Sequence, residues 1–144
     1  LRRCGPTCVG LAQGGVSLHH ASMTDTPKRP RLRIRIVFGD HEMIGPGKAE
    51  LLERIDQCGS IAAAGREMGM SYKRAWDLVG TLNAMFKDPL VERARGGPGG
   101  GGALLTDAGK EVLTLYRAFE CAAVQAGAGP LDDLRARLKE NPDA

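Results

Sequence analysis

The chain has 144 residues, enough for one compact domain with appendages and too few for two full-sized ones. Charged residues make up 26% and aromatics only 4%, so a core must be built from Leu, Ile, Val, Met and Ala, which favours a small helical domain. A net charge of +3 is too modest to identify a polyanionic partner by itself, and no run of about eighteen apolar residues offers a membrane span.

Residues 1–30 are expected to be a disordered leader or a mis-assigned start. The stretch 1–22 begins with Leu1, shows neither helical nor strand period, and is followed by Met23 as a plausible first residue. Its apolar content is too interrupted for a secretory signal. Cys4, Cys8, His19 and His20 make an unspecific set for a metal, so no metal or other cofactor is expected. Cys58 and Cys121 fall on predicted helices; the four cysteines form no disulfide framework, and a reducing cytoplasm is the expected setting. Five basic residues and no acid lie between Lys28 and Arg35, and a second basic set comprises Lys73, Arg74, Arg93 and Arg95. Taken alone, each set fits an ordinary solvated face as well as a nucleic-acid footprint.

From Leu32 to Phe38 apolar residues alternate with arginine, the pattern of a half-buried strand, and Gly39-Asp40 marks a turn. Pro46 suits the first turn of a helix running to Cys58, with Leu51, Leu52 and Ile55 on its apolar face and Gly59 as its stop. Ser60 caps a short helix, Ile61 to Met68, which Gly69 ends. Ser71 caps the next, Tyr72 to about Phe86, where Ala75, Leu78, Val79, Leu82, Met85 and Phe86 recur at helical spacing and Pro89 stops the run. Two helices that cross steeply need a small residue where they touch, a glycine in the turn and apolar inner faces. Gly65, Gly69, Met70, Ala75 and Leu78 meet these demands in order, which predicts a helix-turn-helix.

The segment from Glu92 to Thr106 is a glycine tract fenced by arginines and followed by a short apolar run. A phosphate-cradling loop would need Lys and then Ser or Thr after its last glycine, whereas Ala103 and Leu104 stand there. As a linker it would join nothing, since too few residues remain beyond Thr106 for a second domain. A β-hairpin is therefore expected, with strands at Leu90–Arg95 and Ala103–Leu105. Thr106 then caps a long helix to about Ala126 with Val112, Leu113, Tyr116 and Phe119 on one side. A break at Gly127–Pro130 precedes a short terminal helix over 131–139.

The resulting fold class is mainly α with a small β-hairpin, in the order β-α-α-α-β-β-α of a winged helix-turn-helix over residues 31–126, with a tail at 127–144. In such a fold the third helix enters the major groove and its N-terminal residues reach base edges while its amides face phosphate. Positions turned away from its apolar stripe are Lys73, Arg74, Asp77, Gly80, Thr81 and Ala84. Arg74 is the candidate for a bidentate guanine contact, Lys73 divides between base and phosphate, and Ser71 and Tyr72 supply a hydroxyl and a phenol. Arg93 and Arg95, two apart on one strand, suit phosphate or minor-groove contact. Ser60 and Asp77 complete the candidate DNA-binding set. Trp76 is expected in the core, beside Val79 and Asn83, rather than as a stacking platform. No Ser, His and Asp set or paired carboxylates stand in a motif context, so an enzyme is not expected.

From Leu32 through Phe119 the sequence resembles the N-terminal DNA-binding domain of the ModE-type, molybdate-responsive transcriptional regulators, a winged-helix group related to LysR-type readers. The residues that carry the likeness are Gly45-Pro46-Gly47-Lys48, Gly59-Ser60-Ile61, Gly69 through Trp76, Pro89-Leu90-Val91-Glu92, the tract from Gly96 to Ala103, and Leu105-Thr106. The resemblance implies a homodimer, paired through helices 46–58 and 106–126, that places two recognition helices in successive major grooves of a palindromic double-stranded site. Full ModE regulators carry oxyanion-binding domains after the winged helix, whereas only Gly127 to Ala144 remain here; molybdate sensing is not expected of this chain. The alternatives are a protein-interaction module that kept the fold without its own operator, and a module responsive to thiol oxidation or metal through Cys58 and Cys121.

Overall fold

The computed structural model describes residues 30–95 and 101–139. The expected leader, with its Cys4, Cys8, His19 and His20, and the wing tip at 96–100 lie outside the described residues. The chain divides into two compact units, 1–31 and 32–144, and the fold below is that of the second.

The alternating segment at 32–38 forms less strand than its pattern suggests. Only β1 (Ile36–Val37) joins a ladder, antiparallel to β2 (Met43–Ile44), with Ile36 opposite Ile44 and Val37 opposite Met43. The partner is limited to two residues because Gly45 and Pro46 follow at once, and proline opens the next helix with no amide to give a ladder. Helix α1 (Pro46–Cys58) keeps its predicted limits, ended by Gly59 in the left-handed region at φ 67°, whose amide donates to the Ile55 carbonyl. The Gly59 carbonyl then accepts from Ala103 at 2.9 Å, so the helix stop also seats the returning wing strand.

Helix α2 (Ile61–Glu67) and helix α3 (Tyr72–Met85) form the predicted helix-turn-helix, with α2 ending one residue early because Met68 is its C-cap. Ser60 accepts from the Ala63 amide and Ser71 from the Arg74 amide, each at 3.2 Å. Gly69 takes φ 69°, and the Met70 amide returns to the Gly65 carbonyl at 2.9 Å. A Cβ placed on Gly65 would stand 3.0 Å from the Ala75 Cβ, so two small residues set how closely α2 and α3 cross.

The wing is β3 (Val91–Arg93) paired antiparallel with β4 (Ala103–Leu105), with Arg93 opposite Ala103 and one further bond from the Ala94 amide to the Gly102 carbonyl. Its root is fixed by Asn83 of α3. The Asn83 Oδ1 accepts from the Leu90 and Val91 amides at 2.9 and 3.1 Å, and its Nδ2 donates to the Val91 carbonyl at 3.0 Å. Thr106 caps α4 (Asp107–Ala126) by accepting from the Gly109 amide, while its hydroxyl donates to the Pro89 carbonyl. A Cβ on Gly109 would overlap the Leu90 carbonyl, so only glycine lets α4 begin against the wing root.

Leu51, Leu52, Ile55, Leu82 and Leu90 are the largest fully enclosed side chains, and they hold α1, α3 and the wing in one core. A smaller cluster of Ile44, Ala49 and Tyr116 joins the first hairpin to α1 and α4. Lys48 is only 8% exposed; its ammonium donates to the Met43 carbonyl at 2.6 Å, and desolvation lowers its pKa. Arg117 of α4 makes a two-pronged contact with Glu53 of α1, both bonds at 2.9 Å.

Two expectations are corrected. Phe119 is 52% exposed rather than buried with Tyr116, because α4 has 20 residues against 13 in α1 and its second half runs past the helix it packs on. The break before the last helix shrinks to Gly127, and α5 (Ala128–Ala136) starts earlier because Pro130 falls in its first turn, where a missing amide costs nothing. Cys58 is free and exposed.

Two tests follow from this packing. Asn83→Ala strands two amides and a carbonyl at the wing root, and urea unfolding is expected to show a loss of about 2–4 kcal/mol with faster amide exchange at Leu90 and Val91. The Tyr116 hydroxyl donates to the Ile34 carbonyl at 2.7 Å, and burial, helped by Glu120, pushes its pKa up to about 12. The folded state then holds a proton that the unfolded state releases, so stability falls as pH rises from about 10, the ordinary tyrosine value, to about 12. Alkaline denaturation of Tyr116→Phe should lose this dependence.

Candidate nucleic-acid interface

Helix α3 buries Ala75, Val79 and Leu82 and thereby turns its other side to solvent. All six positions expected on the outer face, Lys73, Arg74, Asp77, Gly80, Thr81 and Ala84, are exposed. The Ser71 cap leaves the first turn of α3 at the surface with a hydroxyl, a phenol and two cations along it. Ser60 lies half-buried at the start of α2, where its hydroxyl is engaged in capping.

Lys73 and Asp77 form an i,i+4 ion pair at 3.0 Å, with the lysine side chain 86% exposed. A pair this open is weak and screened by salt, so it does not withhold Lys73 from a phosphate. Arg74 forms no ion pair among the described residues. Arg95 is exposed and follows the last bonded residue of the wing ladder, whereas Arg93 is within it.

Arg93 does not simply project into solvent. Its guanidinium carbon lies 5.4 Å from the centroid of the Trp76 ring, and the Tyr72 ring meets Trp76 edge-on at 6.0 Å with an interplanar angle of 77°. Trp76 is therefore core on one side, packed against the main cluster, and a platform for a cation on the other. Its Nε1 is buried with no hydrogen-bond partner among the described residues. Sequence reasoning assigned Trp76 and Asn83 to the inner side and missed that they tie the wing to α3. The signal was present as two polar-capable residues, seven apart, on an otherwise apolar stripe.

The opposite side of the wing has the wrong sign for nucleic acid. An open groove there is lined by Asp88, Glu92 and Asp107 with Lys110 as its one cation. Glu92 and Arg93 are neighbours on a strand and so point to opposite faces, which separates the acidic groove from the face shared by Arg93 and Trp76. Among the described residues no cluster of three or more His, Cys, Asp or Glu is arranged to hold a metal, and no helix is long and apolar enough to cross a membrane.

Residues 47–110 match the bacterial regulatory helix-turn-helix proteins of the lysR family. The chain is 48% identical over 83 residues to the molybdenum-pterin-binding protein MopA of Rhodobacter capsulatus, covering 58% of this chain and 31% of MopA. It is 45% identical over 71 residues to the DNA-binding transcriptional dual regulator ModE of Escherichia coli K12, covering 49% of this chain and 27% of ModE. The CbnR DNA-binding domain, solved in complex with DNA, aligns at a TM-score of 0.48 and 23% identity over 63% of this chain and 97% of that one. The chain spans about a third of the length of the curated relatives it matches. Residues 47–110 thus match the lysR-family helix-turn-helix model and are similar in sequence to part of the ModE and Mop proteins.

Proposed function

We propose that the chain is a transcriptional regulator that binds a specific double-stranded DNA site as a homodimer in the cytoplasm, with residues 31–126 as the DNA-binding domain and 127–144 as a short tail. The observation that carries this reading is the first turn of α3, where Ser71, Tyr72, Lys73 and Arg74 are all exposed beside the Arg93 of the wing. Arg74 reads a guanine edge, Lys73 with Asp77 adjusts to base or phosphate, and Arg93 and Arg95 hold the backbone. Ser60 contributes by capping α2, whose far end sets the approach of α3.

The dimer reading rests on the second half of α4. Leu115 is 61% exposed and Phe119 52%, one turn apart on the same helix, with Val124 exposed further along. Helix α1 has its large apolar residues inside its own domain, so it contributes a polar edge, held to α4 by the Glu53–Arg117 contact, rather than the apolar seam. Two copies related by a two-fold axis would read two half-sites about one helical turn apart, a palindrome. The molybdenum and pterin in the names of the relatives belong to longer proteins, of which the match covers about a third, and no ligand is assigned to this chain.

Arg74→Ala is expected to weaken binding to a selected duplex by about 1–3 kcal/mol, with the loss confined to one base-pair position of each half-site. Fragments selected from a random duplex pool supply the site; equal loss on selected and unrelated duplexes would contradict the guanine assignment. Leu115→Glu combined with Phe119→Glu should shift the dimer toward monomer by on the order of tenfold or more in sedimentation, because two charges would enter the apolar seam. An unchanged dimer would move the interface elsewhere.

A further inference from the structure

We propose that Trp76 is a positioning residue for DNA binding, holding the Arg93 guanidinium against α3 so that wing and recognition helix meet the duplex as one unit. The inference rests on the DNA-binding reading above and adds a residue to which neither core packing nor surface charge would assign that role. Arg93 and Trp76 lie on different elements, and among the described residues the hydrogen bonds from the wing strand to α3 are those of Asn83 at its root. Beyond that root, the 5.4 Å approach of the guanidinium to the ring is the contact that joins the wing strand to the helix face.

The choice of side chain supports this role. Trp76 buries an indole N–H with no partner among the described residues, a liability that phenylalanine would not carry. What the indole supplies in exchange is the most electron-rich aromatic face for a cation. Tyr72 meets the same ring edge-on and stands in the first turn of α3. A long arginine side chain is otherwise free to adopt many rotamers, and stacking on a fixed ring removes that freedom before DNA arrives. Arg93 therefore meets phosphate already oriented, beside Lys73 and Arg74.

The test is a double-mutant cycle on the full chain, read as anisotropy of a labelled mixed-sequence duplex over about 50–200 mM salt. Arg93→Ala removes one phosphate contact, so affinity should fall on the order of tenfold and the slope of log K against log salt should shrink by about 0.9. Trp76→Leu should reproduce both changes although it leaves every charge in place, and the double variant should lose no more than either single one. Trp76→Phe, which keeps an aromatic face and removes the orphaned donor, should stay folded by circular dichroism and give an intermediate slope; it replaces the leucine variant if that one unfolds. Additive losses in the double variant, or a Trp76 variant that weakens binding with the wild-type slope, would overturn the proposal while leaving DNA binding intact. Absence of salt-sensitive duplex binding by the wild-type chain would overturn the DNA-binding reading and this proposal with it.

Discussion

The close crossing of α2 over α3, where Gly65 meets Ala75, is the contact on which the rest of the domain depends. With a Cβ on Gly65 only 3.0 Å from that of Ala75, a larger residue at either position would force the helices apart. Their separation fixes the direction of α3, and α3 in turn carries everything else that matters. Its inner stripe closes the core with Leu51, Leu52 and Ile55; Asn83 grips the wing root; Trp76 receives Arg93; and its first turn presents Lys73 and Arg74. One helix is thus both the structural axis of the domain and its candidate reading head.

The two sides of the wing have opposite electrostatic character because strand geometry sends neighbouring residues to opposite faces. Arg93 lies on Trp76, and Glu92 lines a groove with Asp88 and Asp107. Such a division would favour a polyanion on one face and disfavour it on the other, the orientation that the proposed DNA contact requires, without a large net charge. A chain of only +3 can therefore carry a directional basic surface. The exposed apolar residues Leu115 and Phe119 lie apart from the wing, on α4.

Local chemistry made much of the fold legible in the sequence. Pro46 and Gly59 bounded α1, Ser60 and Ser71 capped α2 and α3, Gly69 turned the chain between them, and Thr106 started α4, because each of these residues acts on its immediate neighbours. Less was legible where an outcome depended on distant partners. Leu32 to Phe38 alternates like a full strand, yet its length in the ladder is set by how soon Pro46 follows Ile44. Phe119 continues the apolar spacing of Tyr116, but nothing in α4 itself says where α1 stops covering it. The outer face of α3 could be read from periodicity, whereas the approach of Arg93 to Trp76, across a chain reversal, could not.

DNA is proposed to contact the first turn of α3 and the Arg93 face of the wing together. Amide chemical-shift mapping on titration with a selected duplex tests this most directly, because it reports every backbone position at once. The largest shifts are expected over residues 71–77 and 93–95, with little change along α5 or around Asp88 and Asp107. Shifts concentrated on α4 and α5, with α3 unperturbed by the duplex, would contradict it.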